Sequence, residues 1–150
     1  MESHFKFLGH PVHPILVNLP IGLYIASLLF DLAYLWLGDP LWYQMSFRLI
    51  AVGIAGHVLA AGTGLVDYLV IARDRKSARY RTARIHLMIG GILLLVYAVN
   101  LYARWSQGVP PHSQPWGPVL LNLIGNGVLG VQGWFGGELV YRHGVGVEKQ

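Results

Sequence analysis

The chain contains no cysteine. That excludes disulfides, thiolate-held iron–sulfur clusters and covalently attached c-type haem within it. Charge is scarce as well: Asp, Glu, Lys and Arg make up 12% of the 150 residues, against about 25% in an ordinary soluble domain. Half the usual charge cannot dress a water-facing surface. The N-terminus lacks a positive segment followed by a short apolar core and a small-residue cleavage site, so the first apolar run is expected to act as its own insertion signal. Also missing are a serine-hydrolase elbow, an HExxH pair and a phosphate-binding glycine loop. "GNGVLG" has fingerprint spacing, but no strand precedes it and it lies inside an apolar run. No motif supports an enzyme; an electron-transfer role is the stronger expectation.

What is present is apolar. Hydrophobic residues reach 54% and the mean hydropathy is +0.47. A bilayer crossing needs about 20 mostly apolar residues, and four stretches supply them, at about 15–37, 42–71, 85–105 and 116–141. The expected fold is all-α, a single integral membrane domain forming an up-down-up-down four-helix bundle. The second run exceeds one crossing, so it tilts or projects beyond the lipid.

The net charge of +4 and pI of about 9.6 follow from topology. Arg73, Arg75, Lys76, Arg79, Arg81 and Arg84 crowd one connection, and Lys6, Arg142 and Lys149 fall on the same side. Positive loops stay cytoplasmic. This predicts both termini inside, a multi-pass protein of the inner membrane, and basic residues that touch anionic headgroups. Nucleic acid is not an expected partner. On the other side "LGDPLWYQ" reads as a tight turn. "RWSQGVPPHSQPWGP" reads as a loop with Trp105 and Trp116 in the interfacial belt and His112 solvated.

Helical spacing sorts the faces. Gly53, His57, Ala61, Gly64 and Tyr68 share one side of the second span, so His57 is expected to face the bundle. His86, Gly90, Leu93, Tyr97, Asn100 and Arg104 form a polar stripe on the third. Gly127, Gly130, Gly133 and Gly136 make a shallow groove on the fourth, for a helix backbone or a flat cofactor. Intramembrane charges call for partners, and matching depth pairs Asp31 with Arg48.

The histidines carry the chemistry. In "LGHPVHPILVNLPIG", His10 and His13 each precede a proline, which favours extended backbone. Alternating directions bring His10, His13, His86 and His143, with Asp67 and Glu138, to one inner membrane level. His57 sits deeper, by about 20 Å of helix, and outside that set. Bundles build cofactor sites from inward side chains. Three readings stay open. One is b-type haem with axial imidazoles, using His57 or His86 and the groove at Gly130 and Gly133. Another is an iron, zinc or copper ion on His10, His13, His86, His143, Asp67 and Glu138. The third has no cofactor, with histidines capping helix ends.

"HPVHPILVNLPIGL", "GTGLVDYL", "ARIHLMIGG" and "GWFGGELVYRHGVGV" span almost the whole chain. They resemble the bacterial four-span membrane family called domain of unknown function 2231. The resemblance implies four spans and a respiratory or electron-transfer setting, since members occur beside Rieske-type or cytochrome modules. It marks His10, His13, His57, Asp67, His86, Glu138 and His143. Where many members have His, this chain has Asn18. The favoured function is a membrane redox protein holding haem or a metal through inward histidines, beside other redox subunits or as a homo-oligomer. The alternatives are a cofactor-free accessory or scaffold subunit and, with fewer signs, a proton relay through His57, Asp67 and His86.

Overall fold

Turn chemistry sets the helix ends. The computed structural model describes residues 6–111 and 114–147, so His112 and Lys149 lie outside the described residues. Strands β1 (Lys6–Phe7) and β2 (His10–Pro11) form a small antiparallel hairpin. Leu8 and Gly9 turn it with φ of 49° and 85°. His10 is extended, as its proline requires. His13 is not: it lies inside α1 (Val12–Leu16), because Pro14 falls in the first turn, where its missing N–H is not needed. Pro20 cannot donate to the Leu16 carbonyl, and the helix breaks at Val17 before α2 (Asn18–Leu37) resumes.

Gly38, with φ of 73°, closes α2 in the left-handed region. Asp39 then accepts from the Leu41 N–H at 2.9 Å, and Pro40 opens α3 (Pro40–Ile71). Ser77 caps α4 (Ala78–Gln107) through the Tyr80 N–H at 3.1 Å. Helix α5 (Trp116–Gly137) runs into a π-helical turn, Glu138–Arg142, which closes with the His143 N–H on the Glu138 carbonyl at 3.1 Å. The described residues are 81% helical, and among them four helical segments are long and apolar enough to cross a membrane. The bound that differs most from the sequence reading is the start of the third span. Helix α4 starts seven residues earlier, at Ala78, because Arg79, Arg81 and Arg84 end the apolar run without ending the helix. His86 therefore lies more than two turns inside it.

Helix α2 packs on α3 and α5, and α4 packs on α3 and α5, closing a ring of antiparallel neighbours. Its outer surface is apolar, with Leu29, Leu59, Leu69, Met88 and Leu95 exposed. Its axis is polar: Ser27, Asp31, Ser46, His57, Asp67, Asn100, Arg104 and Asn122 are all buried. That inversion suits a bundle whose solvent is lipid.

The expected Asp31–Arg48 pair does not form. Arg48 is exposed, and Asp31 is held by Arg104, with Nη1 donating to Oδ1 at 3.0 Å and Nη2 to Oδ2 at 2.5 Å. Depth matches in both cases. The deciding factor is the face, since Arg104 lies on the inward stripe of α4 with Tyr97 and Asn100, all buried.

The middle of the bundle is set by a stack of Tyr24 on Tyr97, with ring centroids 3.6 Å apart and planes 4° off parallel. Two glycines admit it. A Cβ on Gly53 would stand 2.7 Å from Tyr24 Cε1, and one on Gly125 would stand 2.8 Å from Tyr97 Cζ. Gly53→Ala and Gly125→Ala are expected to destabilise by about 1–3 kcal/mol through overpacking. Gly127→Ala and Gly133→Ala should stay within about 0.5 kcal/mol, since nothing lies within 4 Å of their Cβ positions. Unfolding midpoints in mixed detergent micelles check both pairs.

Candidate functional site

Contacts between helices define levels down the bundle axis. His13 faces Gly64, with Cε1 of its ring 2.8 Å from that glycine's Cβ position. His86 faces Gly136, its Cε1 at 3.3 Å from the corresponding point. One turn deeper, Gly90 is covered by the Gln132 amide at 2.7 Å and, further off, by Nε2 of His57 at 3.9 Å. Three imidazoles from α1, α3 and α4 thus fall within about two helical turns, or about 10 Å.

Their anchoring follows one pattern. Nδ1 of His13 donates to the Ala60 carbonyl at 2.8 Å, and Thr63 Oγ1, which also donates to that carbonyl, lies 3.4 Å from the same nitrogen. Nδ1 of His86 donates to the Gln132 carbonyl at 3.1 Å. A carbonyl accepts only, so both Nδ1 atoms carry the proton and both Nε2 atoms keep the lone pair. His57 Nδ1 meets the Tyr24 hydroxyl at 3.4 Å. Among the described residues no Nε2 of the three has a hydrogen-bond partner. Fixing one ring nitrogen so that the other is available is how metal-binding histidines are oriented.

The rest of the expected ligand set is dispersed. His10 is exposed on the hairpin. His143 Nε2 meets Thr82 Oγ1 at 3.1 Å, and Glu138 pairs with Arg142 at 3.1 Å on the surface. Asp67 is buried near the C-terminal end of α3. Gly130 and Gly133 are exposed, with no atom within 4 Å of a Cβ, so they do not share a space with His57 and His86. Among the described residues no three His, Asp or Glu side chains stand close enough to hold an ion in this conformation. The sequence reading left His57 outside the inner set because it counted from the end of α3. It did not foresee that α1, entering as a separate short helix, would lay His13 against Ala60 and Gly64.

On the other side of the tyrosine stack lies a hydrogen-bonded network that sequence reasoning saw only in part. Asn122 Nδ2 donates to Asp31 Oδ2 at 2.7 Å and to Ser27 Oγ at 3.1 Å. Its Oδ1 accepts from the Tyr97 hydroxyl and from Asn126 Nδ2, both at 3.2 Å. Arg104 Nε donates to Asn100 Oδ1 at 2.8 Å, and its guanidinium carbon lies 4.5 Å from the centre of the Tyr43 ring. A signal was available: Ser27, Asp31 and Asn122 recur at inward positions of otherwise apolar runs. The network ends at Tyr97, whose ring stacks on Tyr24, and Tyr24 meets His57.

No match was found among curated proteins or among solved structures. The family model described as "Predicted membrane protein (DUF2231)" matches residues 9–149, from the hairpin turn through all four spans, and the chain belongs to that family.

Proposed function

We propose that this chain is a redox protein of the inner membrane that takes up a transition-metal ion through Nε2 of His13, His57 and His86, rings that must close on the ion because they do not stand within ligating distance of one point here, with its termini and basic connection cytoplasmic. The carrying observation is the shared anchoring: Nδ1 of each ring is tied to Ala60, Tyr24 or Gln132, and each Nε2 has no protein partner among the described residues. Imidazole donors suit copper, iron and zinc. Copper or iron supplies the electron chemistry. The protein's part is to orient the rings, to set polarity through the Tyr24 hydroxyl, and to keep water out with the surrounding helices. His10, His143, Asp67 and Glu138 belong to the inner end of the bundle rather than to this set.

A b-type haem fits this space less well. The inward glycines are already covered, Gly64 by His13, Gly90 by Gln132 and Gly136 by His86. A macrocycle would have to displace all three side chains, and the glycine row it was expected to use points outward.

That outward row favours a second reading, an accessory subunit whose α5 packs against a redox partner or a second copy. Gly127, Gly130 and Gly133 are exposed and open, which permits close helix approach. One experiment separates the two. Elemental analysis and oxidised and reduced absorption spectra are taken on the detergent-purified protein. Copper or iron near one per chain, with a spectrum that changes on reduction, is the expected result. No metal and no chromophore, together with a higher-order assembly that Gly130→Leu disperses, would favour the accessory subunit instead.

A further inference from the structure

We propose that the turn between α3 and α4 binds the phosphate of an anionic phospholipid headgroup, independently of any metal. Residues 73–84 carry Arg73, Arg75, Lys76, Arg79, Arg81 and Arg84 against one carboxylate, Asp74. None of these six cations is in an ion pair among the described residues. Arg79 and Arg81 also sit at the wrong end of a helix for their sign. The first turn of α4 contains no acidic residue, although a helix N-terminus carries partial positive charge and favours anions. The six crowded cations repel one another until an anion arrives.

Two further observations place the anion. Nε of Arg79 is buried and has no hydrogen-bond partner, an unmet donor that needs an acceptor. Tyr68 at the end of α3 and Tyr80 in the first turn of α4 pack with ring centroids 6.1 Å apart, which fixes the two helix ends flanking the basic residues relative to each other. Arginine binds phosphate oxygens with a planar set of donors.

The neighbouring surface makes a lipid the fitting occupant. Directly beyond the basic collar, Leu65, Val66 and Leu69 of α3 and Ile85, Leu87 and Met88 of α4 are exposed. A phospholipid puts its phosphate on the collar and its chains on these residues. An acidic protein or a free phosphate would use only the first half.

The test uses the full chain in phosphatidylcholine bilayers, with spin-labelled phosphatidylglycerol or phosphatidylcholine read by electron paramagnetic resonance. One basic residue near an anionic surface is equivalent to about a fivefold preference. The wild-type chain is expected to prefer the phosphatidylglycerol label by about fivefold or more, less at high salt. The triple variant Arg75→Gln, Arg79→Gln, Arg84→Gln should fall to within about twofold of no preference. If that variant does not fold, Arg79→Gln alone carries the test, with an expected loss of about fivefold. Three results would overturn the proposal. They are no preference in the wild type, an unchanged preference in the variants, and displacement of the labelled lipid by millimolar inorganic phosphate.

Discussion

Arg104→Met is expected to destabilise the protein by about 3–5 kcal/mol, the usual consequence of removing one partner of a buried ion pair. The substitution keeps the length of the side chain and removes its donors. Asp31 would then be a carboxylate with no cation, held by Asn122 Nδ2 alone. Asn100 Oδ1 and the Pro118 carbonyl would lose the Arg104 donors at 2.8 Å and 3.4 Å, and Tyr43 would lose the cation on its ring. The unfolding midpoint in mixed micelles of alkyl maltoside and dodecyl sulfate reads the effect.

Two companions make the result interpretable. Arg48→Met should change stability by no more than about 0.5 kcal/mol, because Arg48 is exposed. The double variant Asp31→Asn, Arg104→Gln should recover much of the loss, since two neutral amides can bond to each other and to Asn122 without burying charge. Equal losses at Arg48 and Arg104 would mean that the pairing seen here is wrong. A double variant as unstable as Arg104→Met would mean that the charges themselves, not the hydrogen bonds, hold this half of the bundle together.

Much of this was readable before any coordinates. The stripe from His86 to Arg104 on α4 lies inward at every position, because spacings of three and four on a long helix leave little freedom. His57 faces the bundle for the same reason: it stands on the side of α3 where Gly53 gives way to Tyr24. What spacing does not supply is the angle between helices. Asp31 had two arginines at matching depth, and only the packed bundle says which one looks inward. The glycine row of α5 carries the same lesson in reverse. A small-residue groove marks a close approach somewhere, but here Gly125 and Gly136 meet Tyr97 and His86, while the glycines between them face out. Element boundaries decide where the histidines lie along the bundle. Charged residues end an apolar run at about residue 85 yet the helix begins at Ala78, which moves His86 deep. The two prolines of "HPVHP" are compatible with extended chain or with a helix start, and here Pro11 precedes, and Pro14 lies in the first turn of, a short helix that brings His13 inward.

His86→Ala and His57→Ala are each expected to lower metal affinity by more than about 100-fold, with bound metal lost from the purified protein. The figure follows from what milder changes do: removing a group that only orients a metal ligand lowers affinity by about 10–100-fold, and these variants remove the donor itself. Tyr24→Phe is the graded control. It deletes the hydroxyl that meets His57 Nδ1 at 3.4 Å and leaves all three Nε2 atoms in place, so its loss should fall within about 10–100-fold. His10→Ala and His143→Ala separate this centre from the one read off the sequence. His10 is exposed on the hairpin and His143 is engaged with Thr82, so neither should change bound metal. Competition with a calibrated chelator measures affinity across the set, and thermal unfolding of each metal-free variant shows whether the fold survives. Loss at His57 and His86 with retention at His10 and His143 places the metal one turn from the tyrosine stack. There, Tyr24 joins it to the network that ends on Asp31 and Arg104, and a change of charge at the metal would be felt through both stacked rings. The opposite pattern moves the ion to the end of the bundle that carries His10 and His143 and leaves His57 as a buried packing residue.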